Sequence, residues 1–168
     1  MRQCFVSYAH DDRGIFGELL EHLVPLEDAL SMSFWHDDRI HGGHQWHDSI
    51  GREIRQSSSF ILLFSPKYVA SSYIRTQELP QIVERQKADQ QVLTLPVIAQ
   101  KCLWQPYIQQ LIQPLPIDRK RRPLAIVDWR PKRDGYYEAA LQLGRALGSW
   151  YGLHLEYLVP DSAAGSRP

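Results

Sequence analysis

Short apolar runs alternating with helical stripes set the organisation of this chain. Residues 3–8 are mostly apolar and lead into His10, Asp11 and Asp12, a pattern that predicts a buried strand followed by a helix cap. Phe16, Leu19, Leu20, Leu23 and Leu26 then fall on one helical stripe, with Pro25 as a kink or an end. Residues 32–35 are a second short strand. The segment 36–44, with two glycines, three histidines, two aspartates and an arginine, predicts a loop. Trp46, Ile50 and Ile54 mark a helix. Residues 60–64, bounded by serines and by Ser65-Pro66, predict a strand covered on both faces.

Pro66 suits a helix first turn. The stripe of Val69, Tyr73, Leu79, Ile82 and Val83 is interrupted near Pro80, so the helix is expected to bend or restart there. Residues 92–98 supply a fourth strand and residues 124–127 a fifth. A closing amphipathic helix runs from Tyr136 through Leu143 and Leu147 to Trp150 and Tyr151. Residues 103–123 read as an irregular connection with room for one short helix, ending in the basic run Arg119, Lys120, Arg121 and Arg122. This alternation implies an α/β fold with a parallel sheet.

At 168 residues and 43% hydrophobic composition, the chain can bury one sizeable core. Nineteen basic and nineteen acidic residues cancel, so no global field favours nucleic acid or an anionic membrane, and neither is expected as a partner. Cys4 and Cys102 form no CxxC or metal-spaced set, which fits a reducing, cytoplasmic setting. The longest purely apolar run, 60–64, is far shorter than the roughly 20 residues of a membrane helix, and the start lacks the pattern of a signal peptide. The polar tail 159–168 reads as a linker to a further domain, with the folded unit at 1–158.

The chemistry-bearing residues narrow the class. There is no GxxxxGK[ST], no GxGxxG and no GxSxG, which removes the usual support for kinase, dehydrogenase and hydrolase readings. A phosphoacceptor receiver domain would use Asp11 and Asp12 but needs an aspartate ending the third strand, where Phe64 and Ser65 stand. His36, His41, His44 and His47 invite a metal reading, yet no cysteine or firm third ligand accompanies them, and no metal is expected.

Three segments together resemble the Toll/interleukin-1 receptor (TIR) domain family in its bacterial form: Phe5-Val6-Ser7-Tyr8-Ala9-His10-Asp11-Asp12, the stretch from Asp37 to Trp46, and Ser65-Pro66-Lys67-Tyr68-Val69-Ala70-Ser71-Ser72-Tyr73 followed by Glu78-Leu79. Later segments extend the resemblance over residues 3–152. It implies a flavodoxin-like fold, a five-stranded parallel sheet with helices on both faces, and ligands bound at the carboxyl ends of the strands. In the catalytic branch, a glutamate after the third strand is essential for cleaving the nicotinamide–ribose bond of NAD+. Here that match is Glu78.

The spacing departs from the common pattern. Many members place the acid four residues after an aromatic, whereas Tyr73 and Glu78 are five apart, and strict spacing selects Gln77. The longer form, followed by a hydrophobic residue and proline, fits Glu78-Leu79-Pro80. By their chemistry and place, Tyr8 is expected to stack on a base or nicotinamide ring, Ser7, His10 and Asp11 to bond ribose or phosphate groups, and Tyr73 to contact the substrate. For Asp11 or Asp12, helix capping is the competing role. The loop with Asp38, Arg39, Gly42 and Gly43 resembles the family segment that shapes the pocket rim and mediates association between protomers, and Arg39 is expected to pair with the diphosphate.

Two functions follow: an NAD+ nucleosidase activated by self-assembly, with NAD+ as substrate, no resident cofactor and a place in bacterial defence or signalling, or a non-catalytic adaptor that binds other TIR domains. A sensor domain beyond residue 160 is an expected partner.

Overall fold

Six consecutive buried residues, Ser59–Phe64, form the strand around which the computed structural model is organised. The structure describes residues 2–36, 46–108, 113–153 and 155. The strands are β1 (Arg2–Ser7), β2 (Met32–Trp35), β3 (Ser59–Phe64) and β4 (Leu93–Ile98), all parallel, in the order β2-β1-β3-β4. Among the described residues five α-helices surround them: α1 (Arg13–Leu30), α2 (Trp46–Gln56), α3 (Pro66–Ala70), α4 (Leu79–Ala88) and α5 (Lys132–Trp150). This is the flavodoxin-like α/β arrangement.

Strand periodicity divides the core in two. Val6, Ile61, Leu63, Leu95 and Val97 face α1 and α5, where Leu19, Leu23, Leu143 and Leu147 are fully buried. Phe5, Phe60, Leu62 and Phe64 face the other way, onto Ile50 and Ile54 of α2 and onto Tyr68, Leu79 and Ile82. Each such side chain contributes about 1.5–3 kcal/mol through burial. Both faces of β3 are therefore covered, which is why its sequence is a continuous apolar run rather than an alternating one.

Two sequence expectations are resolved by local chemistry. Helix α1 runs through Pro25 to Leu30, so Pro25 does not end it. Pro25 is exposed, where water can satisfy the carbonyl that its missing N–H leaves unpaired. The helix stops instead at Ser31, which adopts a left-handed conformation at φ 48°. Trp150, read as part of the α5 stripe, is 41% exposed.

The fifth strand expected at residues 124–127 is absent. A single parallel bridge, Val97 to Leu115, stands beside β4, made by Leu115 donating to Pro96 and accepting from Ile98. In a parallel ladder the next partners in register are Gln113 and Ile117, but Pro96 has no N–H to offer Gln113 and the Ile117 N–H goes to Gln142 Oε1 instead, so the bridge stays single. Residues 126–128 instead form a short 3-10 turn with Ile126 buried beneath α5. Among the described residues the sheet thus has four strands.

Candidate active site

The strand order reverses between β1 and β3, and the loops leaving these neighbours diverge to opposite faces, which makes their carboxyl ends the natural ligand crevice of an open α/β sheet. A cleft of about 730 Å³ lies there. Tyr8, Ala9, His10 and Asp11 form one wall, immediately after β1. Lys67, Ala70, Ser71, Tyr73, Ile74 and Glu78 form the other, after β3.

The second wall contains an irregular helical turn that explains the unusual spacing. Residues Ile74–Glu78 are a π turn, closed by the Leu79 N–H donating to the Ile74 carbonyl five residues back. A π turn carries one residue more than an α turn, so residues five apart share a face, as residues four apart do in an α-helix. Tyr73 and Glu78 consequently both line the cleft, while Gln77 is exposed and does not. Pro80 lies in the first turn of α4 and has no N–H to continue the regular ladder into this segment. Side chains add bonds to carbonyls on either side of the turn: Thr76 Oγ1 donates to Ser72 O at 2.8 Å and Gln81 Nε2 to Gln77 O at 2.7 Å.

Behind the walls, buried polar groups join the two loops. Ser65 caps α3, its Oγ accepting from the Tyr68 N–H at 2.9 Å, and the same hydroxyl donates to the Asp12 carboxylate. Asp12 is only 5% exposed, and this burial raises its pKa against the Ser65 hydrogen bond, with Asp11 adding to the rise and Lys67 opposing it. Tyr68 OH is 2.7 Å from Ser7 Oγ, both buried. Burial first, and the neighbouring Glu78 second, push the Tyr68 phenol well above its usual range, so it stays protonated. Burial also pushes Cys4 up to about 12 and Cys102 up to about 11, so neither thiol is an ionised nucleophile at neutral pH.

The family model of the TIR domain matches residues 4–143. This chain belongs to the TIR domain family. An uncharacterized protein, y4lF, of Sinorhizobium fredii is 30% identical over 147 residues, which cover 88% of this chain and 43% of that protein. The chain therefore spans less than half the length of this curated relative. The TIR domain of the Toll-related receptor TRR-2 from Hydra magnipapillata is 17% identical with a TM-score of 0.49, covering 79% of this chain and 96% of that one. The TIR domains of the activated Roq1 resistosome, which directly recognises the pathogen effector XopQ, are 19% identical with a TM-score of 0.48, covering 86% of this chain and 84% of that one.

Within this TIR domain, the cleft brings together Tyr8, His10, Asp11, Tyr73 and Glu78 of the residues singled out in the sequence. Ser7 sits behind the wall, turned to Tyr68 rather than to the cleft. Tyr8 is 6% exposed and stacks on Phe16 with ring centres 4.1 Å apart, so one face of its ring is already occupied. Arg39 and its loop, and the tail from residue 156, lie outside the described residues, as do His41 and His44. Capping by Asp12 is corrected: it stands at the N-cap of α1, but its carboxylate makes no cap bond and reaches across to Ser65.

Sequence reasoning passed over Ser65, Tyr68 and Lys67, whose only signal was their place in the quoted family segment. The basic run near residue 120 folds into a tight turn in which Asp118 accepts from the Lys120 and Arg122 N–H groups and pairs with the Arg122 guanidinium. Among the described residues, no His, Cys, Asp and Glu cluster suits a metal, and no helix is long and apolar enough to cross a membrane.

Proposed function

We propose that this TIR domain cleaves the bond between nicotinamide and ribose in NAD+, with Glu78 as the catalytic carboxylate. The observation that carries this reading is the placement of a 5% exposed carboxylate on the wall of the switch-point cleft, one π turn from the aromatic Tyr73. Ordinary glycoside hydrolysis needs a second carboxyl group to protonate the leaving oxygen. The nicotinamide of NAD+ is already cationic: when the bond from ribose C1′ to the ring nitrogen breaks, the electron pair neutralises the ring and nicotinamide leaves without a proton.

Positive charge then develops on the ribose. A carboxylate fixed beside it in a partly dry cleft stabilises that charge, which is where an enzyme gains most. Water as nucleophile yields ADP-ribose and a proton; attack by the adenine of the same molecule yields a cyclic isomer. Assembly of protomers, for which the family offers the loop at 37–44, would complete the cleft in this reading. The rhizobial relative, of which this chain matches 43%, supports a bacterial setting with the TIR module as one part of a longer protein.

The test is an NAD+ consumption assay with products resolved by chromatography, on wild type, Glu78→Gln and Gln77→Ala, each dilute and crowded on a surface. Turnover that falls at least a hundredfold in Glu78→Gln and persists in Gln77→Ala supports the reading. No turnover by crowded wild type refutes it and leaves a non-catalytic adaptor.

A further inference from the structure

We infer that Lys67 recognises the diphosphate of the ligand, and that its ion pair with Asp11 is a latch between the two cleft walls which a diphosphate-bearing ligand opens. This rests on the NAD+ reading for the identity of the ligand. It adds a residue and a mode of entry that the reading itself does not contain.

The distribution of charge along the cleft is the first observation. Lys67 is the only lysine or arginine among the described residues that line it, and two carboxylates, Asp11 and Glu78, line it as well. A dianion entering such a cleft meets repulsion at both acids and attraction at one place. Exposure orders these groups by depth: the Glu78 residue is 5% exposed, whereas the side chains of Lys67 and Asp11 are 63% and 73% exposed. NAD+ carries its charges in the complementary order. Its cationic nicotinamide riboside enters toward the buried carboxylate, and the diphosphate that follows reaches the exposed amine.

The second observation is the state of that amine without ligand. Lys67 Nζ lies 3.8 Å from Asp11 Oδ2, linking the start of α3 to the loop after β1. An exposed pair of this kind is weak and screened by salt, so it is readily exchanged for a phosphate, which offers more acceptor oxygens and more charge. Asp11 therefore competes with the ligand for Lys67. Its expected role as a phosphate partner is replaced by that of a displaceable stand-in, because a carboxylate repels a phosphate.

Binding of ADP-ribose, which keeps the diphosphate and lacks the scissile bond, is measured by calorimetry beside adenosine, which has no phosphate, on surface-assembled and dilute protein. Lys67→Ala is expected to weaken ADP-ribose binding about tenfold or more, and Lys67→Arg to restore most of it. Asp11→Asn is expected to tighten it about two- to fivefold, a gain that vanishes in the Lys67→Ala background. Adenosine affinity moves with neither.

An unchanged ADP-ribose affinity in Lys67→Ala, an equal loss for adenosine, or no ADP-ribose binding by assembled wild type overturns the latch. Failure of the underlying reading looks different. Lys67-dependent ADP-ribose binding with no NAD+ turnover sinks the glycohydrolase and leaves the latch standing. Glu78-dependent turnover with a KM indifferent to Lys67 does the reverse.

Discussion

Replacing Ser65 with alanine tests whether the buried link between the two loops holds the cleft together. Its hydroxyl has two duties, capping α3 at Tyr68 N and donating to Asp12. Loss of a serine cap costs about 1 kcal/mol. Leaving the nearly buried Asp12 carboxylate without its donor costs about 1–3 kcal/mol more. The sum, about 2–4 kcal/mol, corresponds to a fall in Tm of about 4–16 °C for a domain of this size. A double-mutant cycle separates the two duties. In an Asp12→Ala background the cap alone is at stake, so Ser65→Ala should cost only about 1 kcal/mol there, a coupling of about 1–3 kcal/mol. Urea unfolding with a constant m-value gives the four free energies. If Ser65→Ala costs the same in both backgrounds to within about 0.5 kcal/mol, the link contributes nothing and the account of the cleft floor is wrong.

The remaining predictions address charge, packing and register. The native pKa of Asp12 is raised above the usual 3.8, so the folded state binds this proton more tightly than the unfolded chain does. Stability from this group is present below the unfolded pKa and is lost as pH rises through the folded value. Asp12→Asn can still accept from Ser65, so its stability relative to wild type should climb as pH rises across that window and level off above it; a pH-independent difference would contradict this. A Cβ at Gly135 would lie 2.2 Å from the Ile126 carbonyl oxygen, whereas one at Gly17 meets nothing within 4 Å. Gly135→Ala should therefore lose about 1–3 kcal/mol in thermal unfolding, while Gly17→Ala, inside α1, gains about 0.5–1 kcal/mol. Exchanging the two residues as Gln77→Glu with Glu78→Gln puts the acid at an exposed position outside the cleft. NAD+ turnover should stay as low as in Glu78→Gln alone, and recovery would show that the π turn does not set the acid's direction.

Most of the architecture was legible because periodicity reports burial directly. The continuous apolar run of β3, the alternation of strands and helices, and the break before Pro80 were all present in the pattern of side chains. The fifth strand failed because residues 124–127 have strand composition, whereas the place beside β4 is taken by the single bridge of Leu115. Composition says what a segment can do and not which neighbour reaches the sheet edge first. The candidate acid, Glu78, was favoured over Gln77 in the sequence by the Leu79-Pro80 that follows it. The π turn supplies the physical reason for the extra residue, which a stripe this short does not show by its periodicity. The contact between Asp12 and Ser65 joins residues 53 apart in sequence, and local reasoning assigned Asp12 the commonest local role of its residue type.

The π turn also bears on how such acids are sought in other chains. A pattern that fixes the aromatic and the acid four residues apart would pass over this domain or select its exposed Gln77. What the geometry preserves is one full turn of whichever helix the chain adopts, and the turn can gain a residue while Leu79 and Ile82 keep their places in the core. A search phrased as one helical turn, allowing either spacing, with a proline soon after the longer one as its local signature, would recover chains of both kinds.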